Sequence, residues 1–291
     1  MIIENEQSTQ KLFTLGMSMS TVLNPAKVIA ITSGKGGVGK TNTSVNLGLA
    51  LHKQGRKVLL LDADLGLANV NIILGFEPGE TIQAVIEGKA TIDDVIVKHD
   101  LGIDIIPASS GIQKMTNLSE VERAALMQAM DSLSKKYDYI LIDTAAGIGD
   151  NVLYFTVGSE EIFLVIDQEP TSITDAYAVI KVLSTDYGVK DFSVIANRTP
   201  RGKNGKDAYA KLSAVTGKFL NVHLKYLGSI SEDELLNASV LQRKPCIELF
   251  PSTKASIDYI TLAKKVLENE GKRNHRGGLQ FFFDELVKVE N

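Results

Sequence analysis

Residues 28–44 read VIAITSGKGGVGKTNTS: an apolar, largely β-branched run, a turn holding four glycines and two lysines, and a return to helical spacing. From Gly34 to Thr41 the stretch fits G-x-x-x-x-G-K-[ST], and it stands where that pattern has physical meaning, after a strand-like run and at the start of a helix-like one. Gly34, Gly36, Gly37 and Gly39 permit backbone conformations that other residues resist, so successive N–H groups can converge on phosphate oxygens. With Val38 in the same turn, residues 34–41 form a candidate phosphate cradle. The helix starting near Lys40 adds its positive dipole end. Lys40 is placed to reach β- and γ-phosphates and Thr41 to bind Mg²⁺ through its hydroxyl. Lys35 is left over by this account, because one lysine is enough to hold the phosphates.

Outward from the loop, strand-length apolar runs recur: KVIAIT, KVLLLD, IDIIP, YDYILID, EIFLVID, DFSVIAN and KYLGSI. Segments 42–54, 119–136, 172–187 and 252–268 carry apolar residues at helical spacing. Runs that are continuously apolar, rather than alternating, predict strands covered on both faces, with the helices as crossovers. The chain reads as α/β, one doubly wound, mostly parallel sheet over residues 27–270. Two of the runs end in aspartate, Asp62 and Asp143, and Asp64 follows two residues after the first. Carboxylates at the C-terminal ends of such strands face the ligand crevice. Either alone is equally well read as a helix cap, but beside the phosphate loop they complete an Mg-nucleotide constellation.

Composition narrows the possibilities. No apolar run reaches the roughly 20 residues needed to span a bilayer, and the N-terminus lacks the flank of a secretory signal, so the expected location is cytoplasmic. A net charge of −4 gives the whole molecule no attraction for nucleic acid, and none is expected as a partner. Cys246 is the only cysteine, which excludes an internal disulfide or a cysteine-ligated cluster within one chain.

The motifs GKGGVGKT, DADLGLAN, DTAAGIG and Asn197-Arg198 together resemble the MinD/ParA class of P-loop ATPases, over about Lys27–Leu267. The resemblance implies ATP as cofactor and slow Mg²⁺-dependent hydrolysis. It makes Lys35 a signature lysine that crosses a face-to-face homodimer to the partner's nucleotide. Asp64 would orient the attacking water, and Thr41, Asp62 and Asp143 would serve the Mg²⁺. Asn197 and Arg198 would lie on the adenine side, near the loop SISED at Ser229–Asp233, in which Ser231 stands where the class usually has proline. The wording of DADLGLANVNIILG and of EPTSITDAYAVIK is similar to the flagellar-number regulators of the FlhG family. That likeness implies a role in flagellar number and placement with the signal-recognition-type GTPase FlhF, and with flagellar C-ring proteins or a transcription activator as further partners. MinD-type control of the division site, ParA-type DNA segregation and a scaffold with incidental turnover remain as other readings.

The two ends differ from the core. Residues 1–26 include a short helix-like stretch, Glu4–Leu15, and NEQSTQKLF, a degenerate form of an FlhF-activating segment in which Glu6-Gln7-Ser8 would stand for the motif; a disordered tail is the other reading. Residues 271–291 are a polar linker followed by an amphipathic stretch. Leu279, Phe282, Phe283, Leu286 and Val287 form one stripe, opposite Gln280, Asp284, Glu285 and Lys288. The stripe suits the inner-membrane surface in the ATP state, with two weak anchors acting together in a dimer, or a groove on its own domain.

Overall fold

The computed structural model describes residues 25–64, 70–77, 79–80, 82–108, 132–200, 202–203 and 205–268. Both terminal segments, most of the stretch 119–136 and the loop 65–69 lie outside the described residues. So do the expected Glu4–Leu15 helix, the Glu6-Gln7-Ser8 segment and the C-terminal stripe.

In chain order the strands are β1 (Lys27–Ser33), β2 (Val58–Ala63), β3 (Val97–Lys98), β4 (Asp104–Ile106), β5 (Tyr139–Ala146), β6 (Glu161–Ile166), β7 (Asp191–Thr199) and β8 (His223–Ser231). The larger helices are α1 (Lys40–Lys53), α5 (Asp150–Val157), α6 (Pro170–Thr185), α7 (Lys206–Phe219), α8 (Glu234–Leu241) and α10 (Lys254–Glu268). Shorter ones are α2 (Val70–Leu74), α3 (Ile82–Ile86), α4 (Ile92–Val95) and α9 (Cys246–Leu249). They build one eight-stranded sheet in the order β3-β4-β2-β5-β1-β6-β7-β8. Every pairing is parallel except that of β3 with β4. All seven expected strand runs are present. The two-residue β3, with an exposed lysine, was not expected.

The continuous apolar runs are explained by two covered faces. Along β2, Val58 and Leu60 enter one core with Val45, Leu49 and Tyr259 of α1 and α10. Leu59 and Leu61 enter the opposite core with Ile82, Val95 and Phe155. A third cluster joins β6 and β7 to α6 and α7 through Leu164, Val194, Val179 and Leu212. Helix α1 follows β1 directly; β2 to β5 lie on one side of β1, and the crossover from β5 to β6 takes the chain to the other side. The loops after β1, β2, β5 and β6 therefore meet at one end of the sheet, where the strand order reverses and open α/β sheets bind ligands.

Candidate functional site

The loop from Gly34 to Gly39 leaves β1 and ends at a helix start that no side chain caps. Uncapped first-turn N–H groups form a ready anion site. Gly37 and Gly39 adopt φ of 79° and 94°, which L side chains resist. A Cβ on Gly39 would lie 2.2 Å from Asn197 Nδ2, whereas Gly36 and Gly37 have nothing within 4 Å of that position. The open side of the cradle is therefore the side of Gly36 and Gly37. Gly34 is enclosed instead, since a Cβ there would lie 2.1 Å from the Asp175 carbonyl carbon in α6. Ser33 Oγ fixes the turn by donating to the Lys35 carbonyl at 2.8 Å. The Gly147 N–H, from the loop after β5, donates to the Ser33 carbonyl at 2.9 Å.

Asp62 and Asp143 occupy paired positions on β2 and β5. Asp143 is fully buried; its Oδ1 accepts from Ser44 Oγ at 2.8 Å. Its Oδ2 is buried without a hydrogen bond of good geometry, although the Thr41 hydroxyl is close enough to favour the carboxylate. Asp62 accepts from the Asp64 N–H at 3.1 Å and from the Val70 N–H at 3.3 Å. Burial, and then the Asp143 charge, push the Asp62 pKa up to about 7. Burial pushes that of Asp143 up to about 6, against the nearby Lys40 charge and the Thr41 and Ser44 hydroxyls. Burial of two carboxylates in register is what raises both. The orphan oxygen, the hard-oxygen donors and the adjacent open cradle fit a hydrated Mg²⁺ carried with phosphates. Lys40 is buried beside them.

Lys35 points to its own chain. Its ammonium donates to the Glu169 carboxylate and to Thr171 Oγ1, the latter at 3.2 Å. Glu169 holds Lys35 above its ordinary pKa, with Asp167 and Asp175 adding to the effect, and Lys35 holds Glu169 below its own. This acidic wall has a local origin. Asp167, at the end of β6, accepts from the Glu169 N–H at 2.9 Å, while its own N–H donates to Ser172 Oγ at 3.1 Å. Pro170 then opens α6, where its missing N–H costs nothing.

On the far side of α1, Asn197 Nδ2 donates to the Val38 carbonyl at 2.7 Å, and Arg198 takes a left-handed φ of 50°. Asn197, Arg198 and Gly39 line a cavity of ≈160 Å³ with Ser231, Glu232 and Asn237. The structure thus brings together the cradle, Asp62, Asp64 and Asp143, and the Asn197–Arg198 pair. Ser231 also accounts for its own departure from proline, because its N–H donates to Asp258 at 2.9 Å and a proline has none to give. Asp233 is occupied as the cap of α8 and accepts from Leu235 and Ala255 N–H groups. Sequence reasoning did not single out Ser44, Asp167 or Thr171. Ser44 was findable, since it lies three residues after Thr41 on the same face of α1.

Known proteins are similar to this chain over most of its length. A family model described as an AAA domain matches residues 26–187. The antiactivator FleN of Pseudomonas aeruginosa is 47% identical over 91% of this chain and 95% of its own length. The flagellum site-determining protein YlxH of Helicobacter pylori is 36% identical over 90% of both chains. Among solved structures, the septum site-determining protein MinD of Pyrococcus horikoshii, complexed with Mg-ADP, superposes with a TM-score of 0.68 at 30% identity. That match covers 86% of this chain and 99% of the other. With its phosphate loop, paired strand-end aspartates and second loop lysine, the chain belongs to the MinD/ParA family of P-loop ATPases, close to the FlhG proteins.

Proposed function

We propose that this ATPase works as an ATP-dependent dimerising switch that attaches to a membrane and regulates the number and placement of flagella. The observation that carries the flagellar part is the near full-length likeness to YlxH, named a flagellum site-determining protein, together with that to FleN, named an antiactivator. The switch rests on the site. Residues 34–41 hold the phosphates of ATP, with Lys40 on the β- and γ-phosphates. Thr41, Asp62 and Asp143 hold Mg²⁺, and Asn197 and Arg198 flank the adenine. When bound, the metal supplies charge neutralisation on the phosphate oxygens. Asp64, beside Asp62, orients the attacking water.

Lys35 sits on the loop yet makes its contacts on the outer side, with Glu169 and Thr171. In a face-to-face homodimer it would leave Glu169 and act on the partner's nucleotide, as an arginine finger does. Loss of the γ-phosphate would then release the pair. Residues 1–26 are proposed to contact FlhF, and 271–291 to anchor the dimer at the membrane surface. C-ring proteins or a transcription activator are further proposed partners. Among the described residues no helix is long and apolar enough to cross a membrane, and the proposed attachment is peripheral. Control of division-site placement is the second reading, supported by the likeness to MinD.

Affinity capture with FlhF and with a MinE-like partner separates the two readings. ATP-dependent retention of FlhF alone supports the flagellar role, and retention of the MinE-like protein alone overturns it. If removal of Leu279–Asn291 leaves ATP-dependent liposome binding unchanged, the tail is not the anchor.

A further inference from the structure

The end of the sheet opposite the phosphate loop carries a second cavity, of ≈450 Å³. It lies where β2 and β4 begin and where residues 136–137 approach β5. Val58, Gly55 and Gly102 are among its lining residues. Gly102 has a φ of 86°, and a Cβ there would fall 2.1 Å from His52 Nε2. Glycine at that position keeps room for the imidazole, which stands in the cavity wall at the last turn of α1.

The charge on this wall runs against that of the molecule. In a chain of net charge −4, Arg56, Lys57, Lys98 and Lys136 line one concavity together with a single carboxylate, Asp104. That carboxylate is already shared, accepting from Tyr137 Oη at 2.6 Å and lying 3.6 Å from Lys98 Nζ. Lys136 pairs with Asp93 at 2.6 and 2.7 Å. Asp138 is occupied by the backbone N–H of Lys57 at 2.8 Å, and among the described residues the Lys57 ammonium has no ion-pair partner. These cations come from three separate segments, the turn after α1, β3 and the approach to β5, and line one cavity whose volume is within the range of small-ligand sites.

We propose that this cavity binds a soluble, multiply charged phosphate compound at a site distinct from the ATP cradle. Lysine ammoniums from separate segments, with the Arg56 guanidinium beside them, suit the dispersed oxygens of a compound with more than one phosphate. The volume admits more than one phosphate group. The two sites lie at opposite ends of α1, whose 14 residues span about 21 Å, so one compact ligand cannot occupy both. The inference does not depend on the flagellar reading.

The test is calorimetric titration of inorganic pyrophosphate into the full chain already saturated with Mg-ADP, which blocks the cradle. The comparison is the Lys57→Glu/Lys98→Glu variant, which alters two exposed side chains. Binding by the wild type, weakened about tenfold or more in the variant and falling with added salt, is the expected result. ADP affinity unchanged in the variant shows that it is folded. Absence of pyrophosphate binding to the ADP-loaded wild type, or equal affinity in both proteins, overturns the proposal. A parallel sedimentation with phosphatidylglycerol vesicles tests the other source of phosphate: vesicle binding lost in the variant, without any pyrophosphate binding, would assign the cavity to lipid headgroups and overturn the soluble ligand.

Discussion

Lys35 and Glu169 form an ion pair within one chain, reinforced by the Thr171 hydroxyl and set at the mouth of the phosphate loop. Glu169 is exposed and Lys35 half-buried, so the pair contributes little to folding. It does, however, occupy the lysine that a dimer would need. Glu169→Gln is expected to leave the melting temperature unchanged and to strengthen ATP-dependent dimerisation roughly two- to fivefold. Light scattering across a protein dilution series measures this; an unchanged dimer constant would show that the pair does not restrain the lysine.

Gly36 and Gly39 predict opposite behaviour within one loop. Gly39→Ala forces a side chain into a left-handed conformation and against the Asn197 amide, and should cost about 1–3 kcal/mol in the nucleotide-free protein. Gly36→Ala meets nothing within 4 Å and should unfold like the wild type, with its deficit appearing only in ATP affinity. Urea unfolding alongside a fluorescent-nucleotide titration separates the two.

For the aspartate pair, the sign of the pH dependence follows from pKa values raised on folding. With Asp62 near 7 and Asp143 near 6, against 3.8 as the ordinary value, the folded state holds more protons between about pH 4 and 7. Stability contributed by the pair is therefore present at low pH and lost as pH rises through that window. Nucleotide-free protein should melt at a lower temperature at pH 8 than at pH 5.5, once other titrations are subtracted by comparison with Asp62→Asn, whose slope should be flatter. Mg-nucleotide should restore the loss at pH 8.

Asp64→Ala keeps the cradle and the aspartate pair and removes the carboxylate assigned to the attacking water. Hydrolysis should fall by at least about a hundredfold, while ATP binding persists and the protein elutes as a stable dimer. A variant that elutes as a monomer with ATP, or that turns over normally, would remove Asp64 from that role.

The sheet was readable because strands buried on both faces must be continuously apolar. Val58 to Leu61 feed two cores in alternation, and no polar residue interrupts the run. β3 escaped notice because a two-residue edge strand with one exposed lysine has no such pattern. The cradle was readable from glycine spacing, and the strand-end aspartates from their position. The partners of Lys35 were not, because Asp167, Glu169 and Thr171 belong to a turn 134 residues away, and only the pairing of β6 beside β1 brings them to the loop. Tertiary adjacency of that kind leaves no mark in local spacing.

Gly34 meets the backbone of α6 so closely that even a methyl group has no room. The two segments therefore behave at that point as a bearing, with no soft side chain between them to absorb displacement. A partner that pushed on α6 would shift the root of the phosphate loop directly, and with it both Lys35 and the turn carrying Glu169. The first glycine of the motif, read from sequence only as a source of backbone freedom, is in the folded chain the point of close backbone contact between α6 and the phosphate loop.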